Sequence, residues 1–552
     1  MMRCTSVLSA WAAGVWGCLW AWVSTGVDGQ VPGQLYSSLA RMEVLFDFDE
    51  HLGELLLQLP EHLPAANRYL ETYTNLQRDS SLSREVRGHP LHVYLLLKRL
   101  VLFWHHISPA LQTYTSLEGP CRNLNSECDH WAMRGNCLHY RIYMLQNCAP
   151  ACGSCPLPGL KERAARMLKK AGEMVMPSED DLRGAANSLA RLQITYRIPI
   201  GSFMAGRIQD TPSSARLTVE DCVQVAAAAH HFKIYGNAWL WYDYCQAAAH
   251  TNPRLQEEII LRRDELEEEH DMKFVYGDVA FLPHRLNESK SQKPWDTEFS
   301  QLCRGAYPED GKERRSLQCY FNNRGSPFLM LQPVRYEQLH HDPELYLFYD
   351  VISEAEIKIV KDIARHRLKR STMIDQQTSI VTEERVSHTA WLKNGSHPAL
   401  ERIGRRVSYI TQLHAFEDTA GIPSADDLQV LNYGLGGFYA AHNDVFFKDL
   451  PEEQWSNKVD KYPSGDRLAT WMFYLNDVTA GGNTAFPLAG VAAPAVKGAA
   501  AFWFNVKKNG KFNTRSRHGG CPVLLGQKWV ANRWIYEHAN FLRRPCSKDS
   551  TE

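Results

Sequence analysis

The sequence has almost no net charge, and after its first 29 residues it has no apolar run long enough to cross a membrane. Lys and Arg total 61 against 62 Asp and Glu, which gives a formal net charge of -1 and a sequence pI of about 7.1. A chain without a basic excess lacks the electrostatic footprint for nucleic acid or for an acidic membrane surface. At 552 residues the chain also exceeds the size of a single core, so several domains are expected.

The one long apolar stretch lies at the N-terminus, within Met1 to Gly29. Arg3 precedes a run from Val7 to Val23, and small and polar residues follow. This pattern predicts a cleaved signal peptide, with a retained anchor as the alternative. The C-terminal SKDSTE is not a KDEL-type retrieval signal, so residence in the lumen of the endoplasmic reticulum would require a partner.

Cysteine is plentiful. Of fourteen cysteines, Cys4 and Cys18 fall in the predicted signal peptide, which leaves twelve. An even number of cysteines in a secretory chain favours disulfides. The sequons at Asn287 and Asn394 predict N-glycosylation and fit the same compartment.

Residues 30–120 have apolar side chains at helical spacing, as in Leu52, Leu55 and Leu59, and prolines divide the stretch into several helices. Two interpretations remain open. The stripe can form the core of a plain helical bundle, or it can form a pairing surface between two subunits. Both arrangements bury the same face, so the spacing does not decide between them.

Residues 121–155 interrupt this helical pattern with a dense group of cysteines. The group consists of Cys121, Cys128, Cys137, Cys148, Cys152 and Cys155. So short a segment cannot bury a sufficient core, and disulfides are expected to hold it. Zinc binding is the alternative for Cys152 and Cys155, but the predicted secretory compartment favours disulfides.

Residues 156–270 return to helices. Ser178 with Asp181 and Thr218 with Asp221 are N-cap patterns, and the second opens a predicted helix from Val219 to His231. A further helix from Asn237 to His250 would complete a hairpin similar to a tetratricopeptide (TPR) unit. In an antiparallel hairpin Cys222 and Cys245 would lie side by side, so we hypothesise a disulfide between them.

This segment is also rich in aromatic residues, including Tyr196 and Tyr235. Aromatic side chains line the grooves that hold polyproline II peptides, although packing in a helical core is an equally good interpretation. Residues 271–338 are punctuated by Pro and Gly and are interpreted as a linker. Within it, Cys303 and Cys319 are suitably spaced for one bridge.

From residue 339 to residue 552 the pattern changes to short strands, predicting a sandwich or barrel with helices on one side. A strand projects alternate residues from one face, so His442 and Asp444 can point at the same place. Two histidines and one carboxylate on one face of a metal are the arrangement of non-haem Fe(II) oxygenases. His518 is the candidate third ligand, and Lys528 on the following strand can reach a ligand carboxylate.

A second His-x-Asp copy occurs at His340-His341-Asp342. It lies in the predicted linker region just before Pro343, and no later His and Lys are similarly placed to complete a pocket. The copy around His442 is therefore the better candidate.

The run from about Leu339 to Cys546 resembles the catalytic region of collagen prolyl 4-hydroxylase alpha subunits, which are 2-oxoglutarate and Fe(II) dioxygenases. The matching pieces are VISEAEIKIVKDIA, RVSHTAWL, LQVLNYGLGGFYAAHND, DRLATWMFYLNDVTAGGNTAFP and HGGCPVLLGQKWVANRWI through RRPC. The resemblance implies a C-terminal double-stranded β-helix, or jelly roll, after helical dimerisation (30–120) and peptide-substrate-binding (156–270) domains. Residues 121–155 are similar to a ShK toxin-type (ShKT) module, so the implied fold class is multidomain α+β.

The resemblance also implies roles for individual residues. His442, Asp444 and His518 would bind iron, Lys528 would anchor 2-oxoglutarate, and Tyr433, Thr484 and Trp534 would line that pocket. Arg467 is a candidate for orienting the substrate, with a structural ion pair as the alternative. The implied disulfides are Cys121–Cys155, Cys128–Cys148, Cys137–Cys152, Cys303–Cys319 and Cys521–Cys546.

The implied function is 4-hydroxylation of proline in collagen-like X-Pro-Gly peptides, with Fe(II), 2-oxoglutarate and L-ascorbate as cofactors. Protein disulfide isomerase would be the partner in an α2β2 tetramer. The alternatives are a lysyl or prolyl 3-hydroxylase and a non-catalytic peptide-binding protein. The chain departs from the family in its ShKT insertion, in Asn443, and in His230 and Gly236, where aromatic residues are expected.

Overall fold

A computed structural model describes residues 34–59, 64–77, 87–116, 122–140, 143–144, 147–153, 159–209, 211–275, 282, 297–307, 317–375, 378–416, 421–446 and 463–549. The predicted signal peptide and Asn287 lie outside these ranges. No helix within them combines the length and the hydropathy needed to cross a membrane.

The N-terminal half consists of helices that share one hydrophobic core. They are Leu39–Gln58, Pro64–Gln77, Pro90–Ser116, Leu160–Glu173, Glu179–Tyr196, Ile200–Met204, Val219–His231, Tyr235–Ala248 and Pro253–Val275. Apolar side chains from both sides of the cysteine-rich segment, such as Leu96 and Leu189, belong to one buried cluster. The two predicted helical domains, 30–120 and 156–270, are therefore packed together, because their apolar faces cover each other. We call this unit the helical region.

The sequence signals for helix starts are confirmed. Ser178 and Thr218 each accept a hydrogen bond from the backbone three residues later, and Asp181 and Asp221 complete the capping boxes. The helix Val219–His231 matches the prediction, and its partner Tyr235–Ala248 starts and ends two residues earlier than predicted. The hypothesised disulfide between Cys222 and Cys245 is also confirmed.

Inside the cysteine-rich segment the structure describes two short helices, Cys128–Met133 and Asn136–His139. The disulfides Cys128–Cys148 and Cys137–Cys152 are formed, as the ShKT resemblance implied. The third implied bridge, Cys121–Cys155, lies outside the described residues. The cysteines form most of the small buried cluster here, consistent with a module held by disulfides.

The C-terminal domain is a double-stranded β-helix, as predicted. Among the described residues, the major sheet has the order Cys319–Asn322, Val334–His340, Leu345–Tyr349, Ala500–Phe504, Arg467–Tyr474, Lys528–Tyr536, Leu428–Tyr433, His388–Leu392 and Lys369–Arg370. The minor sheet has the order Val491–Ala493, Thr484–Phe486, His518–Gly520, Phe438–His442 and Arg385–Val386. Neighbouring strands are antiparallel in both sheets.

Shorter pieces complete this domain. They are the strand pairs Ala480–Gly481 with Val523–Leu525 and Met373–Asp375 with Thr378–Ile380, and the helices Glu298–Cys303, Glu354–Arg365 and Pro398–Thr411. The two longer helices pack on the outer face of the major sheet around Trp471 and Trp529. A separate core that includes Tyr433, Tyr474 and Val530 fills the space between the sheets. The side chains that point inward from the two sheets therefore lie in an enclosed interior.

The predicted linker, 271–338, needs correction. Its strand Cys319–Asn322 pairs with Val334–His340 at the edge of the major sheet, and the helix Glu298–Cys303 packs on the strand Thr484–Phe486. Residues from 298 onward therefore belong to the catalytic domain, which starts well before residue 339. The Pro- and Gly-rich sequence between the two strands concealed this hairpin.

Two implied disulfides, Cys303–Cys319 and Cys521–Cys546, are also wrong. Cys303 is bonded to Cys521 across 218 residues, while Cys319 and Cys546 are exposed free thiols. The physical reason is the packing of the helix Glu298–Cys303, which brings Cys303 into one small buried cluster with Cys521.

Candidate active site

Three side chains with metal-binding atoms meet between the two sheets. His442 ends the strand Phe438–His442 and His518 begins the neighbouring strand, where the two residues lie opposite each other in register. Asp444 lies in a bend two residues beyond the strand, so the prediction that one strand carries both His442 and Asp444 is wrong. The bend nevertheless directs its carboxylate to the same point.

The geometry of these three residues suits a metal ion. Their ligand atoms all lie within 4.8 Å of one another. The Nε2 atoms of His442 and His518 are each 3.5 Å from an oxygen of Asp444. Each histidine also donates a hydrogen bond from Nδ1 to a backbone carbonyl, of Ala440 at 2.9 Å and of Ser516 at 3.0 Å. Because a carbonyl only accepts, Nδ1 carries a proton in both rings, and each ring in its neutral form presents an Nε2 lone pair to the shared point.

Charges within the site favour the ligand forms of the side chains. Burial alone would raise the pKa of Asp444, but His518 and His442 outweigh it and hold that pKa below its ordinary value. Burial lowers the pKa of His518 to about 4, although Asp444 acts in the opposite direction. The site therefore contains an ionised carboxylate beside a neutral imidazole at neutral pH, which is the form that binds a cation.

A second layer of polar residues fixes the carboxylate. Thr470 donates to Asp444 Oδ2 at 2.9 Å, and Asn505 Nδ2 donates to Thr470 Oγ1 at 2.9 Å. Sequence reasoning did not identify these two residues. The sequence signal for Thr470 was a threonine among the apolar residues of the strand Arg467–Tyr474, because a buried hydroxyl must find a hydrogen-bond partner.

Lys528 lies deeper between the sheets and is 3% exposed. Its Nζ is 3.5 Å from Thr484 Oγ1 and within 5.7 Å of the Tyr433 and Tyr474 rings. No carboxylate of the described residues forms a salt bridge with it, and burial lowers its pKa to about 7. A buried ammonium without an acidic partner is costly, so this cavity suits an acidic ligand. The structure thus brings together Lys528, Thr484 and Tyr433, as the resemblance implied.

Arg467 and Trp534 lie near Asp444. Trp534 is opposite Thr470 on the neighbouring strand, so its ring is on the face that points toward the site. The Arg467 guanidinium is 3.9 Å from the centre of that ring and 3.0 Å from Asp426. Arg467 therefore makes a structural ion pair while lying beside the candidate metal position.

The other predicted site residues lie elsewhere. Tyr196 is in the helical region, and its hydroxyl donates to the Pro522 carbonyl at 2.5 Å. Tyr235 is buried, and its hydroxyl donates to Glu269 at 3.0 Å. Both make structural contacts, and their role in peptide binding stays a prediction, as does glycosylation of Asn394.

The rival copy, His340-His341-Asp342, is not part of a metal site among the described residues. The backbone N–H of Asp342 donates to His340 Nδ1 at 3.1 Å, and the Asp342 carboxylate accepts from Asn513 at 2.7 Å. Across all the residues that the structure describes, the one group of three or more possible metal ligands is His442, Asp444 and His518.

Comparison with known proteins agrees with this donor set. Residues 428–536 match the 2OG-Fe(II) oxygenase superfamily, and residues 120–155 match the ShK domain-like family. Prolyl 4-hydroxylase subunit alpha-1 of Rattus norvegicus is 31% identical over 425 residues, covering 68% of this chain and 77% of the relative. The chain belongs to the prolyl 4-hydroxylase alpha subunit family.

Other members match over a similar or greater length. Subunit alpha-3 of Bos taurus is 32% identical over 438 residues, covering 69% of this chain and 78% of the relative. Subunit alpha-2 of Caenorhabditis elegans is 29% identical over 563 residues and covers 94% of both chains. The oxygenase match includes all three candidate iron ligands and Lys528, so Fe(II) and 2-oxoglutarate fit the residues present.

Proposed function

We propose that this chain hydroxylates proline at C4 in collagen-like X-Pro-Gly peptides and couples this reaction to oxidative decarboxylation of 2-oxoglutarate to succinate. The observation that carries the proposal is a group of two histidines and one carboxylate, of which Asp444 and His518 are buried and His442 is half-buried, beside the buried, carboxylate-free Lys528. Membership of the prolyl 4-hydroxylase alpha subunit family supports proline as the substrate residue.

Each group has a distinct task in this reaction. His442, Asp444 and His518 would hold Fe(II), and three protein ligands would leave it able to bind 2-oxoglutarate and O2 as well. Lys528, with Thr484 and Tyr433, holds the distal carboxylate of 2-oxoglutarate by a charge-assisted contact. Bound Fe(II) supplies the oxidation, in which one oxygen atom of O2 enters the proline ring and the other enters succinate as CO2 leaves. Trp534 lines the co-substrate pocket, and Arg467 orients the peptide.

Two alternatives are less well supported. Lysyl and prolyl 3-hydroxylases usually anchor 2-oxoglutarate with Arg, whereas this chain has Lys528. A non-catalytic peptide-binding protein would not need this ligand triad together with a buried lysine that has no acidic partner, since a buried unpaired charge is costly without a ligand.

The deciding experiment measures Fe(II)-dependent succinate formation with a (Pro-Pro-Gly) repeat peptide. We expect His442→Ala to abolish turnover and Lys528→Ala mainly to raise the 2-oxoglutarate concentration required. The exposed His341 of the rival copy provides a matched control, and His341→Ala should retain activity. Normal turnover in the His442 or Lys528 variant would contradict the assignment.

We also propose that the chain acts in the lumen of the endoplasmic reticulum after signal cleavage, with L-ascorbate keeping the iron reduced. Protein disulfide isomerase is the proposed partner in an α2β2 tetramer, with dimerisation through residues 30–120 and peptide binding through the TPR-like residues 156–270. The relatives are subunits by name, and the structure contains several disulfides, which supports a secretory assembly. Recovery of only free chain during co-purification would contradict the tetramer.

A further inference from the structure

The loop Gly434–Gly437, called the glycine loop below, connects the two halves of the active site. It follows Tyr433 of the co-substrate pocket and leads into the strand Phe438–His442, which ends at a candidate iron ligand. Any shift of this loop moves His442 relative to Lys528, because Tyr433 and Lys528 are paired on neighbouring strands.

The first half of the glycine loop is packed against the N-terminal end of the helical region. The backbone N–H of Gly434 donates to the Ser37 carbonyl at 2.9 Å. A Cβ at Gly434 would lie 2.6 Å from the Tyr36 carbonyl oxygen and 2.9 Å from the Ser38 nitrogen. Only glycine permits so close a contact between these backbones.

The second half of the loop is held by the helix Glu179–Tyr196. Gly436 has a φ of 56°, and its carbonyl accepts a hydrogen bond from Arg191 Nη1 at 3.2 Å. The buried Arg191 guanidinium also lies 4.3 Å from the centre of the Phe438 ring, four residues before His442. Glu383 lies 3.5 Å from Arg191 Nη2 and balances the charge.

The helical region contacts the Lys528 side of the site as well. Gly526, two residues before Lys528, donates from its N–H to the Gly88 carbonyl at 3.1 Å. Asn432 accepts from Ser38 at 2.6 Å and donates to Gln527 at 3.0 Å. Both chain segments that enter the co-substrate pocket are therefore bonded to residues that lie outside the catalytic domain.

We propose that Arg191 is a positioning residue for the iron and 2-oxoglutarate site and that it acts through Gly436 and Phe438. In this arrangement the residues of the helical region that contact the glycine loop support the active site, because they hold the strand that ends in His442 in place relative to the strand that begins with Lys528. The inference rests on the proposed function, since it concerns the same site. Residues that orient metal ligands from behind typically change metal affinity by roughly 10-fold or more when they are replaced.

The test uses the full chain and a binding readout. Mn(II) replaces Fe(II), and the unreactive analogue N-oxalylglycine replaces 2-oxoglutarate. We expect Arg191→Met to weaken the binding of this pair by roughly 10-fold, and Arg191→Lys to weaken it less because the charge beside Glu383 is kept. The double variant Arg191→Met with Glu383→Gln should retain the loss, because it removes the unpaired carboxylate but does not restore the bond to Gly436.

Arg99 provides a matched control. It is buried in the same helical region, where its guanidinium pairs with Asp49 at 2.6 Å and lies 5.8 Å from the centre of the Tyr69 ring, and neither of these residues belongs to the glycine loop. Arg99→Met should lower the melting temperature and leave Mn(II) and analogue affinity unchanged. The proposal would be overturned by unchanged affinity in Arg191→Met, or by an equal loss of affinity in Arg99→Met. If the wild-type protein binds Mn(II) and N-oxalylglycine but forms no succinate, the proposed function is wrong. The comparison of the Arg191 and Arg99 variants still tests the positioning role of Arg191.

Discussion

Lys528 is the residue whose chemistry depends most on its surroundings. Burial lowers the pKa of its ammonium from 10.5 to about 7, and its Nζ lies 3.5 Å from the hydroxyl of Thr484. The ligand-free protein therefore loses this charge as the pH rises through about 7. A bound carboxylate would reverse the effect, because it favours the ammonium.

This behaviour predicts a pH-dependent affinity for 2-oxoglutarate. Above a pH of about 7, binding must be accompanied by uptake of one proton, so affinity should fall by up to about tenfold per pH unit. Calorimetric titration with Mn(II) and N-oxalylglycine between pH 7 and 9, in two buffers of different ionisation enthalpy, would measure both the affinity and the proton uptake.

Lys528→Arg is the control for this titration. A guanidinium stays protonated over that range, so any affinity that the variant retains should be much less dependent on pH. An equally steep fall in the Arg variant would assign the pH dependence to another group.

The glycine loop shows how the elements of this fold constrain one another. Strands Leu428–Tyr433 and Phe438–His442 belong to different sheets, and the four residues between them cross from one sheet to the other. The helical region occupies the space that a side chain at Gly434 would need. Local sequence preferences explain the turn, while the absence of a side chain is explained by a neighbour about 400 residues away in the chain.

Gly434→Ala should therefore reduce both stability and active-site affinity. The added Cβ would lie 2.6 Å from the Tyr36 carbonyl oxygen, and such overpacking typically costs roughly 1–3 kcal/mol. The displaced loop should also weaken binding of Mn(II) and N-oxalylglycine. Thermal unfolding and ligand titration of the full chain would measure the two effects.

Gly172 is the matched control, because a Cβ there would meet nothing within 4 Å and the residue lies in a helix. Gly172→Ala should be neutral or slightly stabilising, since alanine favours helices. If the Gly434 variant were as stable and as tight-binding as the Gly172 variant, the tight packing of the loop would be contradicted.

On the scale of the whole molecule, one disulfide joins distant parts of the catalytic domain. Cys303 lies in a helix before the first strand of the major sheet, and Cys521 follows the candidate ligand strand His518–Gly520. The bond closes a loop of 218 residues around most of the domain. Long closed loops constrain the unfolded chain strongly.

We predict that Cys303→Ser lowers the free energy of unfolding by about 2–5 kcal/mol, the usual cost of losing a native disulfide. Peptide mapping without reduction should recover Cys303 joined to Cys521. The exposed Cys319 is the control, and Cys319→Ser should leave stability nearly unchanged. Recovery of Cys303 joined to Cys319 would instead restore the pairing that the family resemblance implied.

The sequence by itself determined the residues that carry the chemistry. His442, Asp444, His518 and Lys528 were identified from residue type and their spacing in the sequence together with the family resemblance, and the capping boxes at Ser178 and Thr218 fixed helix starts. These signals are local, because a cap or a strand face is set by residues a few positions apart. The disulfide between Cys222 and Cys245 could be predicted for the same reason, whereas the jelly roll was implied by the family resemblance.

Tertiary structure alone decided the contacts that join distant segments. The partner of Cys303, the support of Asp444 by Thr470 and Asn505, and the packing of Arg191 on the glycine loop all depend on which surfaces meet. The spacing of residues in the sequence does not reveal these contacts, because each one depends on how whole helices and sheets pack together. Sequence therefore supplied the ligands of the active site, and packing fixed the distances between them.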